Sequence, residues 1–161
     1  MYTQPQPEHA WLQKLVGEWT CESESVMGPG EPPQTFQGKE TVRPLGGFWI
    51  IAEGQGEMPD GETACTLMTL GYDPHRKRFP GTWHGSMMSW QWVYDGELDE
   101  SGRILTLNCE GPDMTGNPEK LVKFRDVHEF VSDDHRILRS YVLGDDGQWQ
   151  QFMTTNYHRV R

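Results

Sequence analysis

Residues 79–98, FPGTWHGSMMSWQWVYDGEL, decide how this chain is read. The segment holds three of the seven tryptophans, together with Met87, Met88, Tyr94 and His84. From Met88 onward the large side chains recur at every second position: Met88, Trp90, Trp92, Tyr94. A period of two is that of a strand, whose successive side chains point to opposite faces, so these four are predicted to share one face. Phe79, Gly81 and Trp83 alternate in the same way with Thr82 and His84. The segment therefore reads as a hairpin of strands 79–85 and 87–98, whose aromatic face either fills a core or lines a pocket.

Outward from this hairpin the same period persists. Strands are predicted at 18–26, 35–43, 48–53, 63–72, 104–109, 121–131, 136–143 and 149–160. Turn chemistry separates many of them: Met58-Pro-Asp-Gly61, Asp73-Pro74, Asp99-Glu-Ser-Gly102, Asp133-Asp134 and Gly144-Asp-Asp-Gly147. Residues 27–33 and 110–119 read as longer loops. Eighteen glycines and eleven prolines are spread along the chain, a pattern that helical bundles do not tolerate. One helix is expected, from Glu8 to Val16, with Gly17 as its stop. Residues 1–7 form a Pro/Gln tail expected to be mobile, and residues 8–161 one domain. Ten antiparallel strands in a meander expose two edges unless the sheet closes. The prediction is an all-β, up-and-down barrel of about ten strands, with a flattened two-sheet sandwich as the alternative.

Composition excludes several partners. A formal charge of −10 disfavours nucleic acid and anionic membranes, whose phosphates require a basic face. No run approaches the roughly 18 apolar residues of a membrane span. The N-terminal residues show neither the basic nor the apolar region of a signal peptide. Three cysteines, Cys21, Cys65 and Cys109, form no CxxC pair and read as reduced thiols, small buried hydrophobes in a cytoplasmic protein.

Several short motifs carry a resemblance. Gly17-x-Trp19, after a short helix and opening the first strand, resembles the start of calycin barrels, the group of lipocalins and fatty-acid-binding proteins. Leu15-Val-Gly-Glu-Trp19, Leu45-Gly-Gly-x-Trp49, Gly71-Tyr-Asp73, Phe79-x-Gly-Thr-Trp83 and Tyr157-x-Arg159 together resemble the bacterial family known as domain of unknown function 1579. The resemblance implies a calycin-like barrel in which Trp19 plugs one end against an arginine of the last strand, Arg159 or Arg161. It implies no activity. Where relatives have an acidic residue after Thr-Trp, this chain has His84.

The candidate chemistry follows from this container. A ten-stranded barrel is wider than its side chains fill, which favours a lined cavity binding a small hydrophobic or amphipathic molecule. Met88, Trp90 and Trp92 are the expected apolar walls, and His84, Arg125 and Tyr157 the polar contacts. Arg125, Arg139 and Glu53 are candidates for inward polar groups, since an acid-bearing ligand requires an arginine facing the cavity. The alternatives are an acid/base enzyme of isomerase or lyase type, with His84 and Glu53 as its pair, and a ligand-free homodimerising module. An enzyme is the less favoured, because no nucleophile elbow or phosphate loop is present. No histidine spacing suggests a metal site, and His128 and His158 are expected to approach each other as a structural pair. Nitrobindin-like barrels carry haem on a histidine, but Thr20-Cys21-Glu22 lacks the further glycines of such barrels, and no cofactor is expected.

Overall fold

The computed structural model describes residues 4–26, 30–58, 60–114 and 116–160. Its elements are helix α1 (Pro7–Gln13) and strands β1 (Gly17–Ser25), β2 (Gln34–Leu45), β3 (Trp49–Glu57), β4 (Thr63–Gly71), β5 (Phe79–Gly85), β6 (Trp92–Leu98), β7 (Ile104–Pro112), β8 (Leu121–Ser132), β9 (His135–Leu143) and β10 (Trp149–Arg159). Each strand pairs antiparallel with the next, and β1 pairs with β10, so the sheet closes into a ten-stranded barrel. Closure pairs the first and last strands, the two edges that an open meander would expose. Parts of four expected features lie outside the described residues: residues 1–3 of the tail, 27–29 of the first loop, Pro59 in the β3–β4 turn and Thr115 in the 110–119 loop. Arg161 lies outside them too. No helix among the described residues is long and apolar enough to cross a membrane.

The helix plugs one end. Gln6 caps it: its backbone N–H donates to His9 Nδ1 at 2.8 Å, which leaves His9 Nε2 to donate to the carbonyl of Tyr72 at 3.0 Å. Trp11, Leu12 and Leu15 are buried against Trp19, Val42, Ile50, Leu70, Phe79, Leu105 and Phe130. The helix ends at Gln13, earlier than the expected Val16, because the chain must turn back into β1. Arg159 of β10 takes up the carbonyls released there, donating to Lys14 at 2.8 Å and Val16 at 2.6 Å. The same guanidinium lies 4.2 Å from the centroid of the Trp19 ring, whose Nε1 donates to the Leu15 carbonyl. This is the arrangement implied by Gly17-x-Trp19, with Arg159 as the arginine.

The hairpin at 79–98 needs one correction. The β5–β6 ladder runs from Phe79↔Gly96 to Trp83↔Trp92 and stops. Strand β6 thus begins at Trp92, not Met87, since Gly85–Met88 makes a turn closed by Met88 N–H to the Gly85 carbonyl at 3.2 Å. Trp92 and Tyr94 face the barrel interior and are buried. Met88 and Trp90 precede the strand, so strand alternation does not bind them to that face. Met88 accepts the Trp92 indole N–H at 3.2 Å, whereas Trp90 lies elsewhere.

Gly111 of β7 explains how Trp92 fits. A Cβ at that position would land on the six-membered ring of Trp92, so the indole takes the space a side chain would need. Gly111→Val is expected to destabilise the barrel by about 1–3 kcal/mol through overpacking. Urea unfolding, with the Trp92→Leu background as the relieving control, measures it; an equal loss in both backgrounds would rule the contact out.

Candidate functional site: a groove at an opened seam

Nine strand pairs of the barrel are joined by five or more ladder pairs, but β6 and β7 share only four, Asp95↔Asn108 to Leu98↔Leu105. Beyond Asp95 the two strands are no longer paired. The ladder is replaced by indoles: Trp92 covers Gly111 from inside, and Trp90 Nε1 donates to the Glu110 carbonyl at 3.1 Å. A groove of about 580 Å³ opens along this seam. Its floor is the outward row of β7 and β8, with Asn108, Glu110, Lys123 and Arg125. Trp90 forms one wall and Trp149 the other, with Val93, Phe124 and Leu143 completing the apolar lining. Arg125 lies with its guanidinium carbon 4.1 Å from the Trp149 ring centroid, and its Nε donates to Asn108 Oδ1 at 3.3 Å.

Two lining residues, Cys109 and Phe124, belong to the inward rows of β7 and β8, so the groove touches the barrel interior. Inside, Trp92, Phe124 and Phe152 pack edge-to-face, with centroids 4.9 and 6.1 Å apart. Next along β8 is Asp126, which accepts from Tyr94 Oη at 2.7 Å and Ser140 Oγ at 2.8 Å. Burial raises the Asp126 carboxyl above its ordinary range against the lowering effect of those two donors. Burial and the Asp126 charge drive the Tyr94 hydroxyl well upward, so it stays a donor. The Cys109 thiol is pushed up to about 12 by burial and Asp126, and Cys21 to about 11 by burial and Glu40, so neither is a ready nucleophile. Cys65, expected to be buried, is exposed on the outer face of β4.

Nearer the plugged end, Arg136 crosses the interior to Glu40. Its guanidinium is 3.8 Å from the Tyr157 ring centroid and 4.6 Å from that of Trp19, and its Nε has no hydrogen-bond partner among the described residues. Sequence reasoning missed Arg136, Glu40 and Asp126. The parity of β8, with Phe124, Asp126, His128 and Phe130 on one face, is the signal that identifies Asp126.

The expected site residues are therefore divided. Trp92 and Tyr157 face the interior and Met88 contacts Trp92. Trp90 and Arg125 line the seam groove together. Arg125, Arg139 and Glu53, considered for inward positions, all stand on the outer face: Arg139 pairs with Glu129 at 3.1 Å and Glu53 with Arg43 at 3.4 Å. His84 is exposed and lines a shallower groove of about 330 Å³ that also includes Glu53. Leu67 stands between them in register, which separates their backbones by two strand spacings, about 9–10 Å. No hydrogen bond joins the two side chains among the described residues, and Glu53 is paired with Arg43 instead. His128 and His158 do not approach each other, because β9 runs between their strands and they face opposite sides; His158 instead stacks on His135 at 4.6 Å. No cluster of three metal-ligating side chains occurs among the described residues.

A closed ten-stranded antiparallel barrel, plugged by a short helix under a tryptophan–arginine stack, is a calycin-type barrel. More particularly, the chain belongs to the family described as protein of unknown function (DUF1579), whose pattern matches residues 4–159. No curated protein sequence matches it. Among solved structures it is similar to Rv2717c from M. tuberculosis, with a TM-score of 0.70 and 15% identity over 98% of this chain and 100% of that one. It is also similar to the S-type phycobiliprotein lyase CPES from Guillardia theta, with a TM-score of 0.64 and 12% identity over 96% and 93% of the two chains. EF1p2_mFAP2b bound to DFHBI follows at a TM-score of 0.50 and 17% identity, covering 94% and 98%. At these identities the likeness is one of fold.

Proposed function

We propose that the protein binds a small, partly apolar molecule in the groove where β6 leaves β7. The observation that carries this reading is the groove itself. Its volume of about 580 Å³ is in the range of ligand sites, its walls are two indoles, and Asp95, Asn108 and Arg125 among its polar residues are held by contacts of their own. An opened ladder beside a covered glycine is a costly feature for a barrel to keep without use. The inner end of the groove, at Cys109 and Phe124, adjoins the aromatic layer and the Asp126 hydrogen bonds, so a longer ligand has both apolar and polar contacts further in. EF1p2_mFAP2b, of related shape, is bound to the small molecule DFHBI, which adds support of a general kind.

The test is titration with N-phenyl-1-naphthylamine, a neutral apolar fluorophore, followed by energy transfer from tryptophan. Saturable binding is expected, with Trp149→Ala weakening it about tenfold through the lost aromatic contact. Absence of any saturable signal with this probe and with the naphthalene probes below would overturn the reading.

A further inference from the structure

Given that the groove is a binding site, we infer that its ligand is a flat apolar acid, with its carboxylate held by Arg125. The charges of the groove lead to this. Asp95 is taken by Arg78, which grips both its oxygens at 2.8 and 2.9 Å. Glu110 and Lys123 stand opposite each other in register, and neither forms an ion pair among the described residues. Arg125 is left without an anion among the described residues: its Nε donates to the neutral Asn108 amide, and its two terminal nitrogens have no protein acceptor. A guanidinium held by a ring and a neutral amide, and by no carboxylate among the described residues, thus lines a groove in a chain of net charge −10.

The geometry suits a carboxylate. The Trp149 ring and Asn108 fix the guanidinium plane from one face and one edge, so the remaining donors form a prepared fork. A planar carboxylate accepts two parallel N–H bonds from such a fork, which a point charge such as lysine does not match. The rest of the ligand is defined by Trp90, Trp149, Val93 and Leu143, whose flat or apolar surfaces favour a ring system over a sugar or a peptide.

Calorimetry with 2-naphthoate and its neutral counterpart 2-naphthalenemethanol, at neutral pH and low salt, separates this from binding in general. The acid is expected to bind about tenfold or more tightly than the alcohol, the effect of a charge-assisted pair. Arg125→Met should abolish that preference, leaving the affinities of the two probes within about twofold of each other. Arg125→Lys keeps the charge but loses the fork, and is expected to retain only part of the preference. Should R125M fail to fold, shown by loss of alcohol binding as well, R125K decides: full acid preference there overturns the inference. Equal affinity of the two probes for the unaltered protein, or a preference that survives in R125M, also overturns it while leaving the groove as a binding site. If neither probe binds, the inference is overturned, and the groove reading fails with it when N-phenyl-1-naphthylamine does not bind either.

Discussion

Arg136→Leu is expected to destabilise the folded protein by about 3–5 kcal/mol, the usual effect of removing one partner of a buried ion pair. Arg136 is only 2% exposed and Glu40 13%, so the carboxylate left behind is not freely solvated. The loss extends beyond the pair, because the guanidinium fills the space between Tyr157 and Trp19 and contacts both rings. Trp19 would keep Arg159 on its outer face and lose its inner neighbour. In thermal unfolding this corresponds to a fall in Tm of roughly 6–20 °C for a chain of this size. The double variant Glu40→Met with Arg136→Leu should recover much of the loss, since no buried charge is then left unpaired. A single variant that melts within about 2 °C of the unaltered protein, less than 1 kcal/mol, would show that the pair is dispensable.

That pair also shows where sequence reading reached its limit. The barrel was legible because alternation, turn residues and the absence of long helical periods all pointed the same way, and Gly17-x-Trp19 marked the plugged end. The inward face of β9 was not, since its two faces are nearly equally apolar. Ile137, Tyr141 and Leu143 accompany Arg139 on one, and Leu138 and Val142 accompany Arg136 on the other. Composition alone gives each arginine the same claim. What distinguishes them is closure of the barrel, which brings β2 and β9 across from each other and supplies Glu40 to Arg136. The groove was partly legible. Trp90 and Arg125, both expected to face an interior ligand, line it from outside: period two runs back through Trp90 to Met88 although the strand begins at Trp92, and the alternation of β8 does not say which of its faces turns inward. Nothing in the local sequence announces that β6 and β7 part company; that depends on Gly111, which becomes meaningful only once Trp92 lies on it.

Stability is expected to fall as pH drops from neutrality toward 4, with His128 as the principal cause. His128 lies buried inside the barrel, and burial, with the nearby Arg136 charge second, lowers its pKa from 6.5 to about 3. In the unfolded chain the imidazole takes a proton near pH 6.5, whereas the folded protein refuses it until about pH 3. Between those values the unfolded state binds more protons, so stability is full above the unfolded pKa and is lost as pH falls. The slope approaches about 1.4 kcal/mol per pH unit, and up to about 4–5 kcal/mol accumulates over the whole window. Asp126 acts in the opposite sense. Its raised pKa means the folded protein holds a proton that the unfolded chain has released, so acidification through that range relieves a penalty and offsets part of the loss. Asp95 and Asp99, held low by Arg78 and Ser101 respectively, add to the loss only below the ordinary carboxylate range. Urea unfolding from pH 7.5 to 4.5 should therefore show a decline that begins near 6.5, before the carboxylates of lowered pKa titrate. In His128→Gln, which cannot be protonated, that decline should be absent from the window. Parallel curves for the two proteins would assign the effect to another group.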